Sequence, residues 1–212
     1  MSLPRVVVLA SGNGSNLQAL IDAVGTGRIS GTIAAVISDR RDSGALSRAA
    51  SAAIPAVELP PEPGESRIDY DVRLRDALTD ITPDLVVLAG WMRILTETVV
   101  TRFRVINLHP ALPGELPGTG AIERAWDEFL AGSRAHSGVM VHEVPDAAVD
   151  AGPVLAHETV AFEADDDLES FAARIHAVEH RLLTTVVADI CRSLRTDNPQ
   201  NDPQEVTDVR TG

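Results

Sequence analysis

The sequence predicts an α/β protein with a doubly wound, mostly parallel sheet and a long C-terminal helix. Short segments rich in β-branched residues alternate with longer amphipathic segments, which is the pattern of repeated β-α-β units. Two of the short segments, 6–9 and 85–88, are apolar at every position, as expected for strands that helices cover on both faces. Ligands of such sheets bind at the carboxyl ends of the strands, so functional residues are expected in the loops that follow them.

The predicted elements follow one another in a regular order. Strands are expected over residues 5–10, 32–38, 56–59, 84–89 and 105–108, and helices in the connections over 16–24, 44–53, 67–79 and 96–103. A loop over 109–120 with three prolines and three glycines then leads to a helix over 121–131 and to strands over 139–144 and 153–162. The last helix begins at Asp166 or Asp167, where Asp166 and Glu169 form a capping-box pattern, and extends to about Leu194.

The length is sufficient for one large domain with a substantial core, since the chain has 212 residues. We expect this domain to comprise residues 1–195. Residues 196–212 are polar and aperiodic, which predicts a disordered tail.

The composition excludes several classes of function. All 18 basic residues are arginine, so Schiff-base chemistry and the lysine of a Walker phosphate loop are ruled out. The single cysteine, Cys191, rules out internal disulfides and sites built on several thiolates. A net charge of −13 repels nucleic-acid backbones and anionic membranes, so neither is expected as a partner. The absence of an apolar run near ~20 residues and of a signal-peptide segment predicts a cytoplasmic protein.

A glycine-rich segment follows the first strand and opens the first helix. Residues 11–16 read Ser-Gly-Asn-Gly-Ser-Asn, and free backbone N–H groups at such a helix start bind anions. Leu17 stands where a dinucleotide fingerprint has its third glycine, although Asp39 after the second strand mimics the ribose-binding acid of that fingerprint. A single terminal phosphate therefore fits the segment better than a dinucleotide, and a tight turn that binds nothing is the alternative.

A second polar cluster lies at the end of the fifth strand. Asn107 and His109 are two residues apart, so both side chains lie on the same side of the strand. An amide and an imidazole that converge on one carbonyl can act as an oxyanion donor and an acid–base group. Asp150, in a Gly-Pro loop, could orient the imidazole, while purely structural roles for the histidine and the aspartate are the alternative. His142 lies in a strand near this cluster, where packing and catalysis are equally compatible with the sequence.

Four segments together resemble the phosphoribosylglycinamide formyltransferase family, which uses folate in purine synthesis. They are Ser-Gly-Asn-Gly-Ser-Asn at 11–16, Ala-Gly-Trp-Met-Arg-Ile-Leu at 89–95, Asn-Leu-His-Pro-Ala-Leu at 107–112 and Asp-Ala-Gly-Pro-Val at 150–154. The resemblance covers about residues 5–195 and implies a Rossmann-like formyltransferase fold. It also implies transfer of a formyl group from 10-formyltetrahydrofolate, as co-substrate, to the amine of glycinamide ribonucleotide, without a metal or a nicotinamide.

The resemblance also implies roles for individual residues. Asn107, His109 and Asp150 match the catalytic amide, imidazole and carboxylate of the family. The residues that match the ribonucleotide site are Gly14, Ser15 and Asn16 at the phosphate, Arg67 near the phosphate and Glu179 at the ribose hydroxyls. The residues that match the folate site are Leu88, Met92, Arg93, Ile94 and Leu95. Small-molecule substrates are the implied partners, and the sequence leaves open whether the chain forms a homodimer.

Three positions depart from the pattern of the family. Gly120 stands where many relatives have histidine, Glu115 stands where a basic or small residue is common, and Met140 stands where a small hydroxyl residue is usual. These departures affect expected loop contacts to the substrate phosphate and the surroundings of the catalytic trio. The three catalytic residues themselves are all present.

Two other enzymatic functions compete with formyl transfer. A 10-formyltetrahydrofolate deformylase could use the same trio to add water, although it has no need of a phosphate and ribose site. His176, Glu179 and His180 spell the zinc motif H-x-x-E-H, with two histidines on one helix face. A zinc hydrolase would need a third ligand downstream, where only 32 residues follow His180.

Overall fold

The computed structural model describes residues 2–196, which form one seven-stranded sheet and six helices. The strands are β1 (Arg5–Leu9), β2 (Thr32–Ser38), β3 (Ala56–Glu58), β4 (Leu85–Leu88), β5 (Val105–His109), β6 (His136–Glu143) and β7 (Val154–Ala161). The helices are α1 (Ser15–Gly25), α2 (Gly44–Ser51), α3 (Arg67–Ile81), α4 (Glu97–Val100), α5 (Ala121–Leu130) and α6 (Leu168–Thr196).

The sheet has the strand order β3-β2-β1-β4-β5-β6-β7. Strands β1 to β5 are parallel, whereas β6 pairs antiparallel with both β5 and β7. The chain moves outward from β1 to β3 and then returns to β4 on the other side of β1, so the topological switch lies between β1 and β4. A ligand site is expected at the carboxyl ends of these two strands. The predicted α/β class with a mostly parallel sheet is confirmed.

The sheet separates two apolar layers. In β1, Val6 and Val8 face the layer that contains α1, α2, α5 and α6, whereas Val7 and Leu9 face the layer of α3 and α4. All four side chains are buried, which explains why the segment is apolar at every position. Phe171 and Ile175 of α6 are fully buried against the first layer. The sheet is thereby fixed from both sides, which gives the loops at its carboxyl edge a rigid support.

Several predicted boundaries required correction. The helix predicted over 96–103 is the single turn α4, and His109, assigned to a loop, is the last residue of β5. The reciprocal cap of α6 joins Asp167 to Ser170, not Asp166 to Glu169. Asp166 instead pairs with Arg174, a contact that its position in the sequence does not indicate.

The C-terminal helix extends to Thr196, one residue past the predicted domain boundary. The rest of the tail predicted over 196–212 lies outside the described residues. No helix within residues 2–196 is both long and apolar enough to cross a membrane.

Candidate active site

A cavity of about 350 Å³ opens at the carboxyl edge of the sheet, where the switch in strand order predicts a ligand. Its walls come from the loop after β1, the segment after β4, the end of β5, the loop around Asp150 and α6. Among the residues assigned to function from the sequence, those that line it are Ser15, Asn16, Leu88, Met92, Arg93, Ile94, Leu95, Asn107, His109, Asp150 and Glu179.

Gly14 shapes the glycine-rich loop at the start of α1. It is the N-cap residue of the helix and has a φ of 80°, in the left-handed region that favours glycine. A Cβ at this position would lie 2.7 Å from the Cα of Ala45, so α2 packs directly against the loop. Because no side chain caps α1, its first N–H groups are available to an anion at the cavity, beside Ser15 and Asn16.

The structure brings Asn107, His109 and Asp150 into contact. The side-chain amide of Asn107 donates to Oδ1 of Asp150 at 3.0 Å, and Nδ1 of His109 lies 3.4 Å from Oδ2. The backbone N–H of Gly118 donates to the same Oδ2 at 2.7 Å. Asp150 has a φ of 50°, an unusual conformation for a residue other than glycine, so the backbone of the loop is strained at the residue that supplies the carboxylate.

The hydrogen-bond partners of Asn107 and its neighbour His142 indicate which of their atoms donate and which accept. Nδ1 of His142 lies 2.8 Å from the carbonyl oxygen of Glu143, which can only accept, so Nδ1 carries a hydrogen. With the hydrogen on Nδ1, Nε2 of His142 accepts from the amide of Asn107 at 3.2 Å. Both hydrogens of the Asn107 amide are therefore used within the protein, one by His142 and one by Asp150.

Burial and the neighbouring polar groups oppose each other at both His109 and Asp150, and the pKa of each lies below its ordinary value. Burial lowers the pKa of His109 below its ordinary value, against the attraction of Asp150. Burial raises the pKa of Asp150, but the neighbouring imidazole of His142, the hydrogen bond from the N–H of Gly118 and the nearby imidazole of His109 outweigh it and leave that pKa below the ordinary value. The resting site thus combines an ionised carboxylate with an imidazole that loses its proton readily.

Glu179 lies at the far wall of the cavity, on α6. Its side chain is buried, and Oε2 accepts from Nδ1 of His176 at 2.7 Å and from the amide of Asn16 at 3.5 Å. The hydrogen bond to Glu179 raises the pKa of His176 above its ordinary value. Oδ1 of Asn16 is buried and has no hydrogen-bond partner within the described residues. This wall therefore offers a carboxylate and an open acceptor to a polar ligand.

The segment after β4 forms the apolar wall of the cavity. The backbone N–H of Met92 donates to the hydroxyl of Ser11 at 3.0 Å, which ties this segment to the glycine-rich loop. The guanidinium of Arg93 lies 4.0 Å from the centre of the Tyr70 ring, a cation–π distance. Met92 and Ile94 leave large apolar side chains exposed, which fits a flat aromatic ligand better than an aqueous surface.

Gly14 and Arg67 are the two predicted site residues that do not line the cavity. Gly14 acts through the backbone of the loop. Arg67 is exposed in the first turn of α3, which follows β3 at the same edge of the sheet. Its assignment to the substrate phosphate remains a prediction.

Within residues 2–196, no third zinc ligand lies beside His176 and His180. Nδ1 of His176 is engaged by Glu179, and Nε2 of His180 is buried without a hydrogen-bond partner among the described residues. Within residues 2–196, no three His, Cys, Asp or Glu side chains are grouped so that they could hold a metal ion. Two residues of the motif, His176 and Glu179, line the cavity, and they are joined by a hydrogen bond, so the motif is explained without a metal ion.

Comparisons with known proteins bear directly on this geometry. The family model described as formyl transferase matches residues 4–187. A phosphoribosylglycinamide formyltransferase of Schizosaccharomyces pombe is 41% identical over 209 residues, covering 91% of this chain and 98% of the relative. The enzyme of that name from Escherichia coli is 40% identical over 186 residues, with coverage of 87% and 85%. The chain belongs to the phosphoribosylglycinamide formyltransferase family.

A solved structure of the same family supports the assignment. The crystal structure of glycinamide ribonucleotide transformylase 1 from Symbiobacterium toebii superposes with a TM-score of 0.83 at 37% identity. The match covers 90% of this chain and 89% of that one. The predicted resemblance, enzyme class and fold are therefore confirmed, and the chain is a one-carbon group transferase.

The structure of this formyltransferase explains two of the three departures from the family pattern and places the third opposite His109. Glu115 pairs with Arg134, which also pairs with Glu128, so the acid ties the loop to the end of α5. Gly120 is the N-cap of α5 with a φ of 67°, where a side chain would be strained. Met140 is buried and lies opposite His109 in the β5–β6 register.

His142 is the site residue whose role the sequence left undecided. It is buried, lines the cavity and lies directly opposite Asn107 in the antiparallel register. The signal in the sequence was a histidine that follows three apolar residues of a buried strand. That signal identifies a polar inward-facing group but not its partner.

Proposed function

We propose that this chain transfers the formyl group of 10-formyltetrahydrofolate to the amine of glycinamide ribonucleotide, a reaction of purine synthesis in the cytoplasm. The observation that carries the proposal is that an anion-binding helix start and the trio of Asn107, His109 and Asp150 share one cavity. A phosphorylated acceptor can therefore be held at one end while its amine reaches the trio. No metal is needed for this chemistry.

The acceptor is assigned to the side of the cavity formed by α1 and α6. Its phosphate would bind the backbone N–H groups at Ser15 and Asn16, where the start of a helix favours negative charge. Its ribose hydroxyls would donate to Glu179, whose Oε2 faces Asn16. The partnerless Oδ1 of Asn16 supplies one further acceptor.

The folate is assigned to the segment from Leu88 to Leu95. The exposed apolar side chains of Met92 and Ile94 would contact its aromatic part, and main-chain groups of the segment would bind the polar edge of the pterin. Membership of the family supports a folate-derived formyl donor. Asn107 and His109 then stand between the two ligands.

The reaction requires a proton to move from the acceptor to the folate. The amine attacks the formyl carbon, a C–N bond forms, and negative charge develops on the formyl oxygen. Asn107, by exchanging one of its two resting acceptors, and His109, by exchanging the carbonyl of Leu116, would donate hydrogen bonds to that oxygen. Each such donor is worth ~10² to 10³ in rate. The bond to the folate nitrogen then breaks, and a water held near Asp150 carries the proton from the amine to that nitrogen. No covalent enzyme intermediate is formed.

The resting pKa of His109 is compatible with this role. A neutral imidazole with hydrogen on Nε2 is already a hydrogen-bond donor. Negative charge on the formyl oxygen favours protonation of the ring, and ionised Asp150 stabilises the resulting imidazolium. Protonation is therefore expected to accompany the reaction instead of preceding it.

The test is an assay of the full chain with 10-formyltetrahydrofolate in the presence and absence of glycinamide ribonucleotide. Folate turnover should require the ribonucleotide. Arg67→Ala should raise the KM of the ribonucleotide without changing folate affinity, because a contact to the phosphate that is equally strong in the ground state and the transition state contributes to binding alone. Rapid release of formate without the ribonucleotide would instead identify a deformylase.

A further inference from the structure

The loop from Leu112 to Gly120 contacts both principal groups of the catalytic trio. The carbonyl oxygen of Leu116 lies 3.0 Å from Nε2 of His109, so the imidazole donates to it. Two residues later, the N–H of Gly118 donates to Asp150 at 2.7 Å. The position of this short stretch of backbone therefore determines the orientation of an imidazole and a carboxylate at the same time.

Arg124 of α5 holds this stretch. Its Nη2 donates to the carbonyl oxygens of Leu116 at 2.9 Å and Pro117 at 2.8 Å, and its Nε lies 3.4 Å from that of Gly120. The guanidinium is a rigid planar fork, so it fixes several carbonyls in one arrangement. Arg124 does not line the cavity, yet these hydrogen bonds determine where the loop meets His109.

The loop needs such support because its backbone is strained. Leu116 has a φ of 44°, in the left-handed region that residues other than glycine rarely adopt. Such a conformation persists only where surrounding contacts enforce it. The hydrogen bonds from His109 and Arg124 both end on the carbonyl of this strained residue.

We propose that Arg124 is a positioning residue of the active site, which holds the carbonyl of Leu116 in place for the imidazole of His109. The inference rests on the proposed formyl transfer and on the role of His109 in it. A carbonyl oxygen has two lone pairs, so Arg124 and His109 can bond to it together. When the imidazole donates to the formyl oxygen, it no longer donates to the carbonyl of Leu116. Arg124 still donates to that carbonyl, so the change leaves no buried acceptor without a hydrogen bond.

Arg124 also acts on His109 through its charge. The charged and titratable groups that face the imidazole are Asp150, whose attraction raises the pKa of His109, and His142 and Arg124, which lower it. Burial, the largest influence, lowers it as well. Removal of the guanidinium should therefore raise the pKa of His109, in addition to loosening the loop.

The experiment compares Arg124→Ala, Arg124→Lys and the wild-type chain. Arg124→Ala should lower kcat by roughly 10- to 100-fold with little change in either KM, because a small misplacement of a catalytic group costs up to ~10². An NMR titration of His109 in the ligand-free chain should show a higher pKa in this variant. Arg124→Lys keeps the charge but not the fork, so its His109 pKa should stay near the wild-type value while kcat is only partly restored.

Controls separate this inference from the proposed function. Arg192→Ala removes an exposed arginine of α6 whose ion pair within residues 2–196 is with Asp189, and it should leave kcat and the titration unchanged. If Arg124→Ala does not fold, Arg124→Gln replaces it.

Wild-type kcat and an unchanged His109 titration in the variant would overturn the positioning role. Absence of ribonucleotide-dependent turnover in the wild-type chain would overturn the proposed function, while the NMR titration would still test the effect of Arg124.

Discussion

The side-chain amide of Asn107 donates a hydrogen bond of 3.0 Å to the carboxylate of Asp150, although 43 residues separate them in the chain. The carboxylate also faces the imidazole of His109. Neither oxygen of Asp150 is therefore free, and the three side chains form a unit in which the orientation of each depends on the others. This dependence has measurable consequences.

Substitutions within the trio should be strongly non-additive. Asn107→Ala, His109→Ala and Asp150→Ala should each lower kcat by at least ~10², and any double variant should lose much less than the product of the single losses, because groups that act as a unit are removed together. Single-turnover and steady-state kinetics with both substrates would measure this. Multiplicative losses, or near-normal turnover in His109→Ala, would contradict the mechanism.

The protonation of His109 should depend on Asp150 in a defined direction. In the ligand-free chain the imidazole should titrate below its ordinary pKa, because burial disfavours the charged ring. Asp150→Asn removes the main attraction that opposes burial, so the pKa of His109 should fall further. NMR titration of the imidazole in both proteins gives the two values. Arg124→Ala provides the comparison in the opposite direction, since removal of that cation should shift the pKa upward instead.

The sequence was sufficient to predict the order of the elements, because β-branched apolar runs and helix caps are local signals. The strand over 32–38 was predicted to the residue, and α2 begins where Ser43 caps it, with its hydroxyl accepting from the N–H of Leu46. The cap of α6 was assigned wrongly because Asp166 pairs with Arg174, eight residues away. That pairing depends on how the helix approaches β7, which periodicity does not specify.

The residues of the candidate site were easier to predict from the sequence than the contacts between them. Asn107 and His109 could be placed on one face from strand geometry alone, but the contact of either with Asp150 depends on the fold of a distant loop. The contact of His142 with Asn107 depends on the antiparallel register of β5 and β6. Since a shift of one residue would turn His142 to the opposite face, no local feature of β6 could predict it.

Gly14 should tolerate no side chain, in contrast to its neighbour Gly12. Gly14→Ala would place a Cβ 2.7 Å from the Cα of Ala45 at a φ of 80°, which requires the loop or α2 to move. The expected loss is about 1–3 kcal/mol in the free energy of unfolding, together with a higher KM for the ribonucleotide. A Cβ at Gly12 meets no atom within 4 Å and needs no left-handed backbone, so Gly12→Ala is the matched control for stability. Equal denaturation midpoints for the two variants would contradict this interpretation of the loop.

The single cysteine should report the opening of α6. Cys191 is fully buried, and burial raises the pKa of its thiol to about 11, so the reactive thiolate is scarce and shielded in the native protein. A thiol reagent at pH 8 should label the native chain slowly, and the rate should rise steeply with urea as the helix leaves the sheet. Ser51→Cys in the Cys191→Ala background places the only thiol on an exposed position of α2 and should react rapidly without denaturant. Equally fast labelling of Cys191 in native buffer would show that α6 opens readily, and with it the wall that carries Glu179.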